Sequence, residues 1–349
     1  MWKTIGLIIL ITTAGCAKFG PNRVVEDRFN YSNAIGISFK EQVLLNIVKL
    51  RYTETPIMLK VGSIVSSYSL GAAASLTGEA QFGDASNVSP GLTGTFTESP
   101  TITYSQVTGQ EYVQRYLQPI PPAAFVYLIN SDWRADHMFL YMIEEANGLW
   151  NQSRVFGNPA DQQFIRVSEL FLILQKAGSL ALKVDSMTAA TNDLNLTLIN
   201  PGNDPNIQQA IQEFQTILGL DPTTDTYEIV FGSIEGNNQT IALKTRSTMQ
   251  MMMEFATYIN VPDEHLSGGS AEVYYSTAAN SQTPPVIIRS GASKPDKDVF
   301  VSVQYRDNWY WIDHNDLETK RTMNILMILF AITESGEDPV QPLLTINTN

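Results

Sequence analysis

The sequence predicts an α+β fold. Helices and mostly antiparallel strands are interspersed, with a long small-residue β-hairpin or arm near residues 60–108. Three observations predict it. Segments with apolar residues every three or four positions mix irregularly with short segments of two-residue period, and no regular βαβ order points to a doubly wound sheet. Gly, Ser, Thr and Ala dominate 60–108, where Leu76, Gly78, Ala80 and Phe82 alternate and Leu92, Gly94 and Phe96 keep the same rhythm. The 349-residue chain is 44% apolar and 16% charged, which suits a packed core and not a disordered chain.

The elements follow in order. Residues 16–34 read as a polar tether containing Gly20-Pro21-Asn22. Ser38 and Glu41 then form a capping box. Val43, Leu44, Ile47, Val48 and Leu50 share one helix face, and Pro56 stops the helix. In the arm, 84–91 reads as the turn between two strands. A helix over 110–117 is broken by Pro119 to Pro122, and Pro122 opens another through Ile129. Asp132 is placed as the cap of a helix reaching about Asn147 and ended by Gly148. Asn158-Pro159 opens an amphipathic helix with Phe164, Val167, Leu170, Phe171 and Leu174 inward, closed at Gly178. Strands follow at 180–184 and 194–199, and Asp204-Pro205 starts a helix to Leu218.

The C-terminal third alternates. Strands at 227–231 and 240–244 are joined through Gly236-Asn237-Asn238. Ser247 caps a Met-rich helix to Ile259. Strands at 273–275, 286–289, 300–305 and 309–312 precede a final helix, capped within 313–316 and running through Ile332. Its apolar run 325–332 is too short to span a bilayer. The predicted organisation is a leader 1–15, the tether, a mainly helical subdomain 35–200 carrying the arm, an α+β subdomain 201–333 and a tail 334–349.

The N-terminus carries Lys3, the apolar run 5–11 and then Thr12-Thr13-Ala14-Gly15-Cys16, the composition of a secretory signal. Cys16 is the single cysteine of the chain. Its setting after Ala-Gly resembles the lipobox of bacterial lipoproteins, with Thr13 departing from the aliphatic residue usual there. That resemblance implies acylation of Cys16, for example with palmitate, and a lipid bilayer as the first partner. Ala17, in place of an Asp that would retain the protein in the inner membrane, implies the outer membrane. Further stretches resemble a family of envelope lipoproteins of Gram-negative bacteria with no assigned activity. They are 45–52 with Pro56, 119–122, Arg246-Ser247 before an apolar helix, and 309–313 leading to Lys320-Arg321-Thr322. The resemblance implies export and a shared fold, and adds no catalytic residue.

The formal charge of −13 and the lack of a Lys/Arg cluster exclude a nucleic-acid partner. No nucleophile elbow, zincin motif, P-loop or dinucleotide fingerprint is present, so no cofactor is expected. The densest group of ligand-type residues is Asp313, His314, Asp316 and Glu318. It reads either as a weak catalytic or metal candidate or as the acidic start of a helix. Asp136, His137, Tyr141, Glu144 and Glu145 are placed on one helix, as an acid–base group or a solvated face. His265 reads as exposed. Met249 and Met251 to Met253 read as core filling. Trp309 and Trp311 share one strand face, either as a sugar-stacking surface or as a buried one.

These features predict a membrane-anchored envelope lipoprotein with a structural or assembly role, its arm adding strands to an envelope protein or to a second copy. Two rivals remain. One is a cell-wall hydrolase centred on Asp313, His314 and Asp316. The other is an oligomeric outer-membrane pore in which several chains each contribute a hairpin. Against the pore, alternate positions of the arm are Gly, Ala, Ser and Thr more often than large apolar residues, which makes a poor lipid surface.

Overall fold

The computed structural model describes residues 21–78, 88–184, 194–233, 237–274, 286–296 and 298–333. The leader, Cys16, the tip of the arm at 79–87 and the tail lie outside the described residues. The α+β architecture is as the sequence predicts. Two compact units are present: residues 57–109 form one, and the described residues up to Pro56 and from Gln110 onward form the other.

The smaller unit is the arm. β1 (Leu59–Gly78) and β2 (Val88–Gln106) pair antiparallel in a two-stranded sheet. A bulge at Gly62 interrupts the register between Val61 and Ser63. Strands of 20 and 19 residues are long. At about 3.3 Å per residue the ribbon reaches roughly 65 Å.

The larger unit begins with α1, running Pro21–Arg51. The helix starts at Pro21 and not at Ser38, so most of the predicted tether is helical. Pro favours a first turn, and no further proline occurs before Pro56. Residues 28–38 are exposed apart from the half-buried Tyr31, whereas Val43, Leu44, Ile47 and Val48 are fully buried. Lys49 and Arg51 occupy the last turn, where positive charge suits the helix dipole.

Short helices α2 (Pro122–Asn130) and α3 (Ala135–Met142) follow. Asp132 does not cap α3. It takes a left-handed conformation with φ 63° after α2. Nor does α3 reach Asn147: residues Ile143–Ala146 are strand β3. Asn147 and Gly148, with φ of 45° and 82°, make a tight turn into β4 (Leu149–Trp150). Asn-Gly hairpin chemistry overrides a helical spacing there.

α4 (Gln162–Lys176) begins after Asp161, later than Asn158-Pro159, and buries all five predicted inward residues. α5 (Pro205–Leu218) is capped by the Asp204 side chain and ended by Gly219 at φ 68°. With β5 (Leu180–Val184), β6 (Leu194–Leu198), β7 (Thr226–Phe231) and β8 (Thr240–Thr245), a six-stranded sheet forms in the order β4-β3-β8-β7-β6-β5. Only β7 and β8 pair parallel. The boundary predicted at residue 200 therefore falls inside one sheet. Phe125, Phe139, Phe164, Phe171 and Phe214 from α2 to α5 form its core, with Phe139 and Phe164 rings 4.7 Å apart.

α6 (Thr248–Ala256) opens with a complete capping box between Ser247 and Gln250. β9 (Arg289–Gly291), β10 (Val299–Tyr305) and β11 (Asn308–Asp313) make a three-stranded antiparallel sheet, and α7 (Leu317–Ile332) ends the described chain. The strand predicted at 273–275 is not formed at Val273 and Tyr274, and its last residue lies outside the described residues. Among the described residues, no helix is long and apolar enough to cross a membrane.

Candidate functional site

The register of the arm sorts its residues into two unlike faces. Ser63 opposes Thr103, Ser67 opposes Ser99, Ser69 opposes Thr97, Ala73 opposes Thr93 and Thr77 opposes Ser89. These positions alternate with Ile64–Ile102, Leu70–Phe96, Ala72–Gly94, Ala74–Leu92 and Leu76–Pro90. Neighbouring pairs lie on opposite faces of a pleated ribbon. From the Leu70–Phe96 pair to the Gly78–Val88 pair one face is thus built from hydroxyl and small residues and the other from apolar ones, whereas nearer the base Val65 joins the first face and Ser66 and Glu98 the second. The mixture seen along each strand is in part a property of two faces counted together, although Ala72, Ala74, Gly78, Gly94 and Pro90 stand on the apolar face as well. On the hydroxyl face, Gly91 sits against Ser75, whose Oγ is 2.7 Å from where a Cβ would stand, so a larger residue must displace it. Ile102 and Tyr104 near the base are 39% and 56% exposed. Among the described residues no third strand joins the ribbon.

The acidic group at the start of α7 is brought together only in sequence. Asp313 accepts from Arg289 Nε at 2.6 Å and from Trp311 Nε1 at 3.0 Å. Asp316 caps α7, accepting from the Thr319 backbone N–H at 3.0 Å and its hydroxyl at 2.6 Å. His314 is exposed, and its carbonyl accepts from Lys320. The arrangement matches the acidic helix start, with each carboxylate engaged by its own donors. Among the described residues no set of His, Cys, Asp and Glu is arranged to hold a metal.

Asp136, His137 and Tyr141 share α3, but Glu144 and Glu145 stand on β3. Glu144 pairs with Lys244 at 2.8 Å, and Glu145 is buried. His137 Nε2 lies 4.0 Å from Asp136 and 3.9 Å from Glu318, so two separately noted groups meet in space. Arg134 holds Asp136 at 2.7 Å. Burial lowers the His137 pKa below its ordinary value, outweighing the upward pull of Asp136 and Glu318. A cavity of about 260 Å³ beside it is lined by Asp132, Trp133, Arg134, Arg321 and Ile325. Tyr141 is tied to Thr322 at 2.9 Å. The group holds α3 to α7, and a base kept neutral by burial is available for proton transfer there. Ser131 also lines the cavity, and its hydroxyl donates to the Tyr127 carbonyl at 2.8 Å.

A third group was not legible in the sequence. Tyr52, just after α1, shares its hydroxyl with Tyr310 at 2.5 Å and with His265 Nδ1 at 2.6 Å. His265 is therefore half-buried and engaged, not exposed. Tyr310 is wholly buried between Trp309 and Trp311, which are half-buried on the other strand face. Burial and the facing Tyr52 raise the Tyr310 pKa far above the tyrosine norm. A cavity of about 520 Å³ opens nearby, lined by Thr53, Glu54, Pro56, Val155, Glu272 and Tyr274. Arg51 stacks on the Tyr274 ring at 4.6 Å, and its Nε and Nη1 have no hydrogen-bond partner. Two carboxylates in the cavity wall oppose an anion there.

Arg246 and Ser247 do structural work. Arg246 is buried, donates to the Gln152 carbonyl at 2.6 Å and accepts from the Ile120 N–H at 3.0 Å. Three of the four methionines singled out, Met249, Met251 and Met252, are core residues, while Met253 is 37% exposed. Comparison with protein-family models, curated proteins and solved structures gave no match.

Proposed function

We propose that this chain is a lipid-anchored component of the bacterial cell envelope, held by acylated Cys16 and structural or assembly in role. The arm is its working part. One observation carries the reading: a ribbon of 20- and 19-residue strands with no further strand beside it among the described residues. An element of that length orders many residues at a cost of about 1–2 kcal/mol each in backbone entropy, and a two-stranded ribbon by itself is marginally stable. Contacts outside the chain offset that cost. Asp313, Asp316 and Glu144 of the larger unit support this reading, because each is engaged in an ion pair or a cap. The signal sequence and Ala17 favour the outer membrane as the location.

The test is metabolic labelling with a palmitate analogue followed by a pulldown from membranes. Wild type takes the label and Cys16→Ser does not, and a stoichiometric envelope partner or second copy is recovered and lost when 70–96 is deleted. Equal labelling of both forms refutes the anchor. Cell-wall turnover abolished by His314→Ala in a folded protein, with no partner recovered, refutes the assembly role in favour of a hydrolase.

A further inference from the structure

The two faces of the arm go further than an assembly role. Resting on the envelope reading above, we propose that the arm enters a lipid bilayer as a two-stranded share of a closed β-barrel. Several copies of this chain build it, with the hydroxyl face lining its lumen.

Three features of the ribbon fit that environment. Between the Leu70–Phe96 and Gly78–Val88 pairs, every residue on one face is apolar: Leu70, Ala72, Ala74, Leu76 and Gly78, against Phe96, Gly94, Leu92, Pro90 and Val88. The alternate face over the same stretch is Ser69, Gly71, Ala73, Ser75 and Thr77, against Thr97, Thr95, Thr93, Gly91 and Ser89. Neither face holds a charge. The stretch is about ten residues per strand, and a tilted barrel strand needs about 9–11 to cross the hydrocarbon layer. Next to it, on the apolar face, Tyr68 opposes Glu98. An aromatic and a charged residue at that level match the interfacial girdle of membrane barrels.

The partner follows from hydrogen bonding. A strand edge in hydrocarbon leaves backbone groups unsatisfied, at several kcal/mol each, so only closed sheets span a membrane. A two-stranded ribbon cannot close on itself, and no third strand of this chain is beside it among the described residues. Identical ribbons from neighbouring copies supply both missing edges, two strands per copy, giving an even-stranded barrel. Pro90 and Pro100 cannot donate a backbone hydrogen bond and bracket the run 91–99 on β2. Pro90 falls inside the spanning stretch and leaves no backbone N–H there to be satisfied, whereas Pro100 lies beyond it and blunts that edge. A lumen of Ser, Thr, Gly and Ala has no fixed charge, so the pore passes small ions and polar solutes with little charge selectivity.

The test uses the full-length acylated protein in vesicles and planar bilayers of phosphatidylethanolamine and phosphatidylglycerol. Wild type releases an entrapped dye and gives discrete conductance steps with near-equal passage of cations and anions. Thr93→Arg and Leu92→Arg are adjacent in sequence and lie on opposite faces. Thr93→Arg retains the steps and shifts selectivity toward anions by about tenfold. Leu92→Arg abolishes them, with unchanged thermal melting as the control for folding. Equal effects of the two substitutions overturn the inference, as does selectivity unmoved by Thr93→Arg. Labelling at Cys16 with no conductance overturns it and leaves the anchor standing, whereas conductance without labelling supports the pore and refutes the anchor.

Discussion

Replacing Tyr52 by Phe removes one oxygen atom and orphans another. The Tyr52 hydroxyl bonds Tyr310 at 2.5 Å and His265 at 2.6 Å, joining groups 258 and 213 positions away in the chain. Tyr310 is wholly buried, so without Tyr52 its hydroxyl has no partner and no water. His265 is half-buried and can turn to solvent. Two lost bonds at about 1 kcal/mol each and an orphaned hydroxyl at about 1–3 give a cost of roughly 3 kcal/mol or more for Tyr52→Phe. Tyr310→Phe loses one bond while Tyr52 keeps His265, for about 1 kcal/mol. The double variant loses both bonds and orphans no buried group, for about 2 kcal/mol. The account therefore predicts an inversion: adding Tyr310→Phe to Tyr52→Phe restores about 1 kcal/mol. Urea unfolding midpoints at constant slope measure all three variants. If Tyr310→Phe destabilises equally with and without Tyr52, the hydroxyl chain is not what joins α1 to the three-stranded sheet.

Other predictions concern the larger unit. His137 has a lowered folded pKa, so the unfolded chain takes up a proton near the ordinary value of 6.5 that the folded chain refuses; stability is present above that pH and is lost as pH falls through it. Melting midpoints between about pH 7.5 and about pH 5.5 should fall further for wild type than for His137→Gln, and parallel curves would contradict the assignment. Asn147 donates to the Leu218 and Thr240 carbonyls, accepts from the Ala242 N–H and holds φ at 45°. Asn147→Ala should therefore cost about 2–4 kcal/mol by calorimetry, and a cost under about 1 kcal/mol would contradict that role. Asp316→Ala should lose about 1 kcal/mol as a helix cap, while His314→Ala should stay within about 0.5 kcal/mol. The reverse order would return the pair to consideration as a site.

What the sequence made legible follows the range of the interactions. The inward face of α4 and both ends of α5 are read correctly because a local period of apolar residues determines the one and nearby caps the other, Asp204 and Gly219. The start of α1 is missed because Ser38 and Glu41 form a plausible cap while nothing between Pro21 and Ser38 breaks a helix. β3 is missed because Ile143 and Ala146 continue the apolar spacing of α3, and only the Asn147-Gly148 turn and pairing with β8 decide for a strand. The Tyr52–His265–Tyr310 group is invisible because no local pattern links residues more than two hundred positions apart. The arm is the intermediate case. Its alternation is visible in each strand, but a one-residue slip exchanges the faces, so only the Leu70–Phe96 register separates hydroxyl from apolar residues.

The central claim is that the arm works by joining this chain to others at the envelope. The most direct measurement is the mass of the full-length protein extracted from membranes in mild detergent, by light scattering, with and without residues 70–96. The account predicts a defined multimer for the intact chain and a monomer, equally folded, for the deletion. A monomer in both cases would contradict it.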